Sequence, residues 1–202
     1  SNVVRDDGIL LRPGTVEDVP AMLRLMDIAT QWLVKKGQAG QWGDGTVKHS
    51  ENPARIEQGI KLAESGGTWI AVDTTSPTYK ATNTSGGEDQ DLSIINGIVG
   101  GVTIGAANPY VSAATEPELY VLFLITDRAS SGKAIGTLLL NKARELAREA
   151  GVSLLRLDCY AGGSGGLVRY YESQGFEKGE TFEAKGWLGQ IMVQRLDKDP
   201  GS

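Results

Sequence analysis

The chain carries a turn of small and basic residues, Ser130-Ser131-Gly132-Lys133-Ala134-Ile135-Gly136, after the apolar run Glu118 to Thr126. A buried strand that passes through such a turn into a helix makes an anion site. The N–H groups of the first helical turn lack intrahelical partners, and the helix dipole adds partial positive charge there. Ser130, Ser131 and Gly132 have no bulk to exclude a phosphate, Lys133 adds a point charge, and Gly136 lets backbone approach closely. Two phosphate motifs fail here. A Walker loop needs glycine where Asp127 stands and Ser or Thr where Ala134 stands. A dinucleotide fingerprint needs GxGxxG, which the run GKAIG does not supply.

The elements around this turn follow from hydrophobic period and capping. Residues 9–12 read as a strand stopped by Pro13-Gly14. Residues 16–36 read as an amphipathic helix with Thr15 at its N-cap, stopped by Lys35-Lys36-Gly37. A glycine-rich loop over 37–50 holds Gln41, Trp42 and His49. A second helix runs to about Ser65 with Ser50 or Asn52 as cap and Pro53 in its first turn. Residues 68–73 form a strand, residues 74–91 a polar insertion without periodicity, and residues 93–104 a strand that pairs back as a hairpin. The run Glu118 to Thr126 is almost wholly apolar, as a central strand requires. Residues 132–150 form the strongest amphipathic helix, and residues 152–160 the next strand. A strand–helix–strand unit makes those two strands parallel neighbours. A short helix over 167–173 and two strands, 176–182 and 188–196, close the chain. The layout predicts one mixed α/β domain over 1–202.

Composition removes several classes of function. Forty per cent hydrophobic and 22% charged residues describe a globular chain. Net charge is −5 with no basic stripe, so nucleic acid is not an expected partner. No run approaches the ~20 apolar residues of a membrane helix, and no signal-peptide core is visible at the start. A single cysteine, Cys159, and a single histidine, His49, rule out an intrachain disulfide and Cys- or multi-His metal sites, so no metal is expected. A reducing, cytoplasmic setting fits. The 27 glycines fall in clusters, around 97–105, at 132 and 136, and at 162–166, where backbone must turn or approach something.

A second motif turns the anion site into a specific expectation. Aligned on Gly136, Ser131 to Gly136 resembles the acyl-CoA motif Arg/Gln-x-x-Gly-x-Gly/Ala, with Ser131 and Ala134 departing from it. Some 35 residues later comes Tyr170-Tyr171-Glu172-Ser173-Gln174-Gly175-Phe176, which matches the Tyr-Glu-x-x-Gly-Phe that ends the last helix of the GNAT superfamily of acyl-CoA N-acyltransferases. The order of elements from Leu11 to Leu196 is similar to that family's, with 74–91 as an insertion. The resemblance implies the GNAT fold: a mostly antiparallel twisted sheet whose one parallel strand pair splays apart, flanked by helices.

What the resemblance implies for chemistry transfers position by position. Backbone groups of Leu124, Ile125 and Thr126 would pair with the pantetheine arm as an added strand would. Residues Ser131, Gly132, Lys133, Ala134, Ile135, Gly136 and Thr137 would hold the pyrophosphate, and Ser164 stands where the family often has Asn. Tyr171 would protonate the leaving thiolate. Gln41, Trp42, Tyr120 and Trp187 would frame the acceptor. An attacking amine must lose a proton, and Glu118 and Asp158 are the candidate bases, with His49 a further one. Cys159 reads as strand packing or, alternatively, an acyl carrier. The expected activity is transfer of an acetyl group from acetyl-CoA to a primary amine, more readily of a small molecule than of a protein, by a monomer or homodimer. The alternatives are a protein lysine or N-terminal acetyltransferase, and an acyl-CoA-binding protein without turnover.

Overall fold

The computed structural model describes residues 2–38, 40, 42–81, 95–130 and 132–196. Strands β1 (Val3–Val4), β2 (Ile9–Pro13), β3 (Thr68–Asp73), β4 (Ile98–Gly105), β5 (Glu118–Thr126), β6 (Leu154–Tyr160), β7 (Glu177–Ala184) and β8 (Trp187–Arg195) form one sheet in the order β1-β2-β3-β4-β5-β6-β8-β7. Every pairing is antiparallel except β5 with β6. That exception has a local cause. A 15-residue helix, α4 (Ile135–Glu149), joins β5 to β6, and a crossover of this kind returns the chain in the same direction.

Two layers of helix cover the sheet. Helices α1 (Val19–Lys35) and α2 (Pro53–Glu64) lie on one face, where Met22, Met26 and Ala63 pack with Ile70, Val72 and Ile125. Helix α4 and helix α5 (Gly166–Ser173) lie on the other, where Leu139, Leu140 and Tyr171 pack with Val102, Leu155 and Leu157. Strand β4 is sandwiched between the layers, and two of its glycines make that possible. A Cβ on Gly100 would stand 2.8 Å from Ile135 Cγ2, and one on Gly101 would stand 2.8 Å from Met22 Cε. The sequence signal of glycine in a β-branched strand therefore reports close helix approach on both faces.

The boundaries differ from the sequence expectation in five places. Residues Val16–Asp18 form a 3-10 turn before α1. Within the polar insertion, Pro77–Ala81 forms a one-turn helix, α3; the rest of it, residues 82–91, lies outside the described residues. Strand β4 begins at Ile98, because Asn96 and Gly97 both take positive φ and turn the chain first. The closing strands extend to a two-residue turn, Lys185-Gly186, both with positive φ as a tight hairpin requires. Helix α4 starts at Ile135, since Gly132 and Ala134 take left-handed conformations ahead of it.

Candidate functional site

Strands β5 and β6 pair only from Glu118/Leu154 to Val121/Leu157. Beyond that point β5 stays bonded to β4 on its other side, through Leu124, Ile125 and Thr126. A register shift between Thr103 and Ile104 leaves Leu122 as an extra residue on β5. An extra residue bends a strand and breaks its alternation. Accordingly, Val121 belongs to the α4/α5 layer, whereas Phe123 and Ile125 pack on the α1/α2 layer. The two parallel strands therefore diverge, and a cleft of about 930 Å³ opens between them. Its walls include Leu122 to Thr126 from β5 and Asp158 to Tyr160 from β6, and it runs to the start of α4 at Gly132, Ala134, Gly136 and Thr137.

The α4 end of the cleft is a donor-rich turn. The first helical bond of α4 is Leu138 N–H to Ala134 O, at 3.1 Å, so the amides of Ile135, Gly136 and Thr137 precede the ladder. Ala134 is the N-cap residue with φ of 53°. A glycine at the same position of the acyl-CoA motif would adopt that conformation freely. Alanine there carries the left-handed cost of ~1–2 kcal/mol, against ~0.5–1 kcal/mol of extra chain entropy for glycine. Ala134→Gly is therefore expected to stabilise the fold by about 0.5–1 kcal/mol, visible as a melting temperature raised by roughly 1–4 °C; a lowered Tm would contradict the strain.

Two residues of this turn do something other than the sequence suggested. The Lys133 ammonium is bound 2.9 Å from Asp73 Oδ2, so its charge is committed to β3 and its side chain does not line the cleft. Gly136 makes room for a side chain: a Cβ there would collide with the Tyr170 hydroxyl. Ser131 lies outside the described residues. Positive charge reaches the cleft instead from Lys36 and Arg128, both of which line it. Lys36 Nζ lies 4.3 Å and the Arg128 guanidinium carbon 3.1 Å from the centre of the Trp32 ring. Neither residue belongs to the turn motif. Arg128, three positions before Ser131, was the only one of the two that sequence proximity could have suggested.

Midway along the cleft the chemistry changes. Tyr171, on α5, lines it and is buried against Phe176 and Tyr170 with its ring edge-on to both. Burial raises the pKa of its hydroxyl, so it stays protonated. Asp158, on β6, lines the cleft as well. It accepts hydrogen bonds from the Tyr120 hydroxyl and, at 3.3 Å, from Asn108 Nδ2. Burial raises its pKa against the pull of those two donors. Tyr120 itself is fully buried and reaches the cleft only through Asp158. Leu124, Ile125, Thr126, Ile135 and Ser164 all line the cleft, and so does Trp42.

Other candidates fall away from it. Glu118 sits at the closed end of the β5/β6 pair, where its carboxylate takes both Nε and Nη2 of Arg156 in a buried ion pair. Trp187 lies within β8 and not in a loop, and its ring packs edge-on against Phe182 (5.3 Å) and Tyr110 (6.1 Å) without lining the cleft. His49 is buried; Nε2 lies 3.1 Å from Thr30 Oγ1, and its ring is bound to the Trp42 backbone, so it anchors the loop that carries Trp42. Cys159 is buried in the α4/α5 layer with its thiol pushed up to about 12, which suits packing and not acyl transfer. Gln41 lies outside the described residues. Among those residues no cluster of His, Cys, Asp and Glu could hold a metal, and no helix is long and apolar enough to cross a membrane.

A family model described as the acetyltransferase (GNAT) family matches residues 47–176. The chain belongs to that family, a family of acyltransferase enzymes. The GNAT match ends on Phe176, the last residue of the Tyr-Glu-x-x-Gly-Phe motif, and includes the β5 and β6 walls of the cleft and the start of α4. Solved GNAT structures superpose over nearly the full chain. An acetyltransferase of the family from Listeria monocytogenes is 19% identical with a TM-score of 0.64, covering 97% of this chain and all of that one. The PaiA N-acetyltransferase of Thermoplasma acidophilum, in complex with coenzyme A, is 15% identical with a TM-score of 0.61, covering 93% and 99%. The NatC complex bound to Gag peptide and CoA contains a chain 15% identical with a TM-score of 0.61, covering 94% and 99%. No curated protein matches by sequence.

Proposed function

We infer that this GNAT protein transfers an acetyl group from acetyl-CoA to a primary amine of a small molecule. The splayed β5/β6 cleft carries the reading: it joins a donor-rich helix start, a strand edge free to pair, and one acid and one base candidate in a single volume. The amides of Ile135 to Thr137 suit a pyrophosphate, with Lys36 and Arg128 supplying the charge that Lys133 spends on Asp73. The free edge of Leu124 to Thr126 suits the amides of a pantetheine arm. Coenzyme A complexes among the structural neighbours, and YncA of Salmonella typhimurium with its cofactor acetyl-CoA, support the same ligand here.

Acetyl-CoA supplies an activated acyl group as a thioester. The chain's own groups then manage two protons. Asp158 takes the proton that the amine nitrogen must lose as it bonds to the acyl carbon. Tyr171 donates a hydrogen bond to the sulfur and gives up its proton as the C–S bond breaks. Burial keeps the phenol protonated, so its proton remains available until charge has built on sulfur.

The test is release of free thiol from acetyl-CoA with a panel of primary amines. Tyr171→Phe is expected to lower kcat roughly tenfold or more, while the thermal shift given by CoA stays that of the parent protein. CoA at 100 times its Kd should stabilise the fold by about 2.7 kcal/mol. An absent shift would remove the cofactor site. A normal shift with no thiol release from any amine would leave a binding protein.

A further inference from the structure

Arg55 is in the first turn of α2, a helix with no acidic residue in that turn. A cation there is opposed by the helix dipole, so helix stability gives no reason for it. Its guanidinium is half-buried, yet among the described residues it makes no hydrogen bond and no ion pair; its one stacking contact is with the Phe123 ring, 5.6 Å from its carbon. Its five N–H donors stay open to solvent and to an incoming acceptor, because no unpartnered side-chain nitrogen among the described residues is buried. Nearly every other arginine with comparable burial here is engaged: Arg12 with Asp18, Arg144 with Gln174 and Gln194, Arg156 with Glu118.

The surroundings of Arg55 locate it. Phe123, beneath it, is a wall of the cleft. The Tyr110 hydroxyl is within electrostatic reach of both charges: burial pushes it up to about 12, Asp158 adds to that rise and Arg55 opposes it. His49, which anchors the Trp42 loop, feels the same guanidinium. Arg55 thus stands on the α1/α2 side of the sheet, over Phe123, which it shares as a neighbour with the cleft that holds Asp158.

We propose that Arg55 is a recognition residue for a carboxylate on the acceptor, so that the substrate class is an amino carboxylic acid whose amine meets Asp158 and whose carboxylate meets the Arg55 guanidinium. A planar fork of donors matches a carboxylate in two parallel bonds. The two protein charges are of opposite sign, one over the Phe123 wall of the cleft and one within it, which is the complement of a zwitterion. A plain alkyl amine would satisfy Asp158 and leave Arg55 as it is. This inference rests on the acetyl-transfer reading only for the position of the amine.

The experiment compares free amino acids of increasing chain length with their methyl esters and with the corresponding decarboxylated amines. Thiol release is read as kcat and KM. Binding of the N-acetylated acids and their esters to the CoA-loaded protein is read separately by calorimetry. For the preferred length, the free acid should have a KM about 10- to 100-fold below its ester, the range expected when bonds to a charged group are lost. Arg55→Met should erase that difference with kcat for the ester unchanged, and Arg55→Lys should restore part of it. An equal thermal shift with CoA in all three proteins shows that the fold is intact. Equal KM and equal binding for acid and ester on the parent protein overturn the proposal, as does an Arg55→Met variant that still prefers the acid. Preference for a peptide amine over every free acid overturns it too. If the acids bind in an Arg55-dependent way and no thiol is released, the subsite stands and the acetyl-transfer reading falls.

Discussion

Asp158→Asn is expected to lower kcat/KM by about 10²–10⁴, the usual contribution of a positioned base. Asparagine keeps the size of the side chain and an oxygen for Tyr120 and Asn108 to bond. What it loses is the capacity to take a proton. The pH dependence separates this from a packing defect. Burial raises the Asp158 pKa above the ordinary carboxylate range, so the parent rate climbs as pH rises through that raised value and then levels off. In the variant only amine already neutral in solution can react. Its rate should therefore climb about tenfold per pH unit toward the amine's own pKa of ~10. A variant that keeps the parent plateau would show that Asp158 is not the base.

Arg144→Met is expected to cost about 2–4 kcal/mol of stability, or a Tm lower by roughly 5–15 °C. Arg144 sits on α4, buried, and its guanidinium donates to Gln194 Oε1 at 2.8 Å, to Asn141 Oδ1 at 2.7 Å and to the Gln174 carbonyl at 2.6 Å. Those bonds tie the middle of α4 to the end of α5 and to β8. Gln174 in turn donates to Thr137 Oγ1, at 2.9 Å, in the first turn of α4. Methionine fills much of the volume and supplies no donor, so the Gln174 carbonyl loses its charged partner. The connection also reaches the site, because α5 carries Tyr171. The variant should therefore lose turnover at temperatures where it is still folded. A melting temperature within a degree or two of the parent would show that the three bonds contribute little.

Much of the frame was legible in the sequence because it depends on local signals. The strand Glu118–Thr126 was found to the residue, since a wholly apolar run between polar turns has one reading. The parallel pair followed from a strand, a tight turn, a helix and a strand in that order. The Pro53 start of α2 was equally local, and of the two cap candidates, Ser50 and Asn52, it is the Asn52 side chain that accepts from Ala54 N–H at 3.1 Å. The turn motif and Tyr170 to Phe176 pointed to the GNAT family, and the family match covers both.

What the sequence left open was where each charge is spent, and that is a matter of distant neighbours. Glu118 looked like a free acid until Arg156, 38 residues away, occupied it. Lys133 looked like a phosphate ligand until Asp73, 60 residues away, bound it. Trp187 looked like a loop aromatic until the two-residue turn at Lys185-Gly186 drew it into β8 beside Phe182. The reverse holds for Arg55, whose position on α2 carries no motif and whose place beside the cleft is visible only once it stacks on Phe123. By itself the sequence determined most of the strands, the crossover and the small-residue turn before α4, because period, capping and small-residue turns act within a few residues. The tertiary structure decided which ionisable groups remain available to a substrate, because pairing and burial are set by residues the chain brings together from far apart.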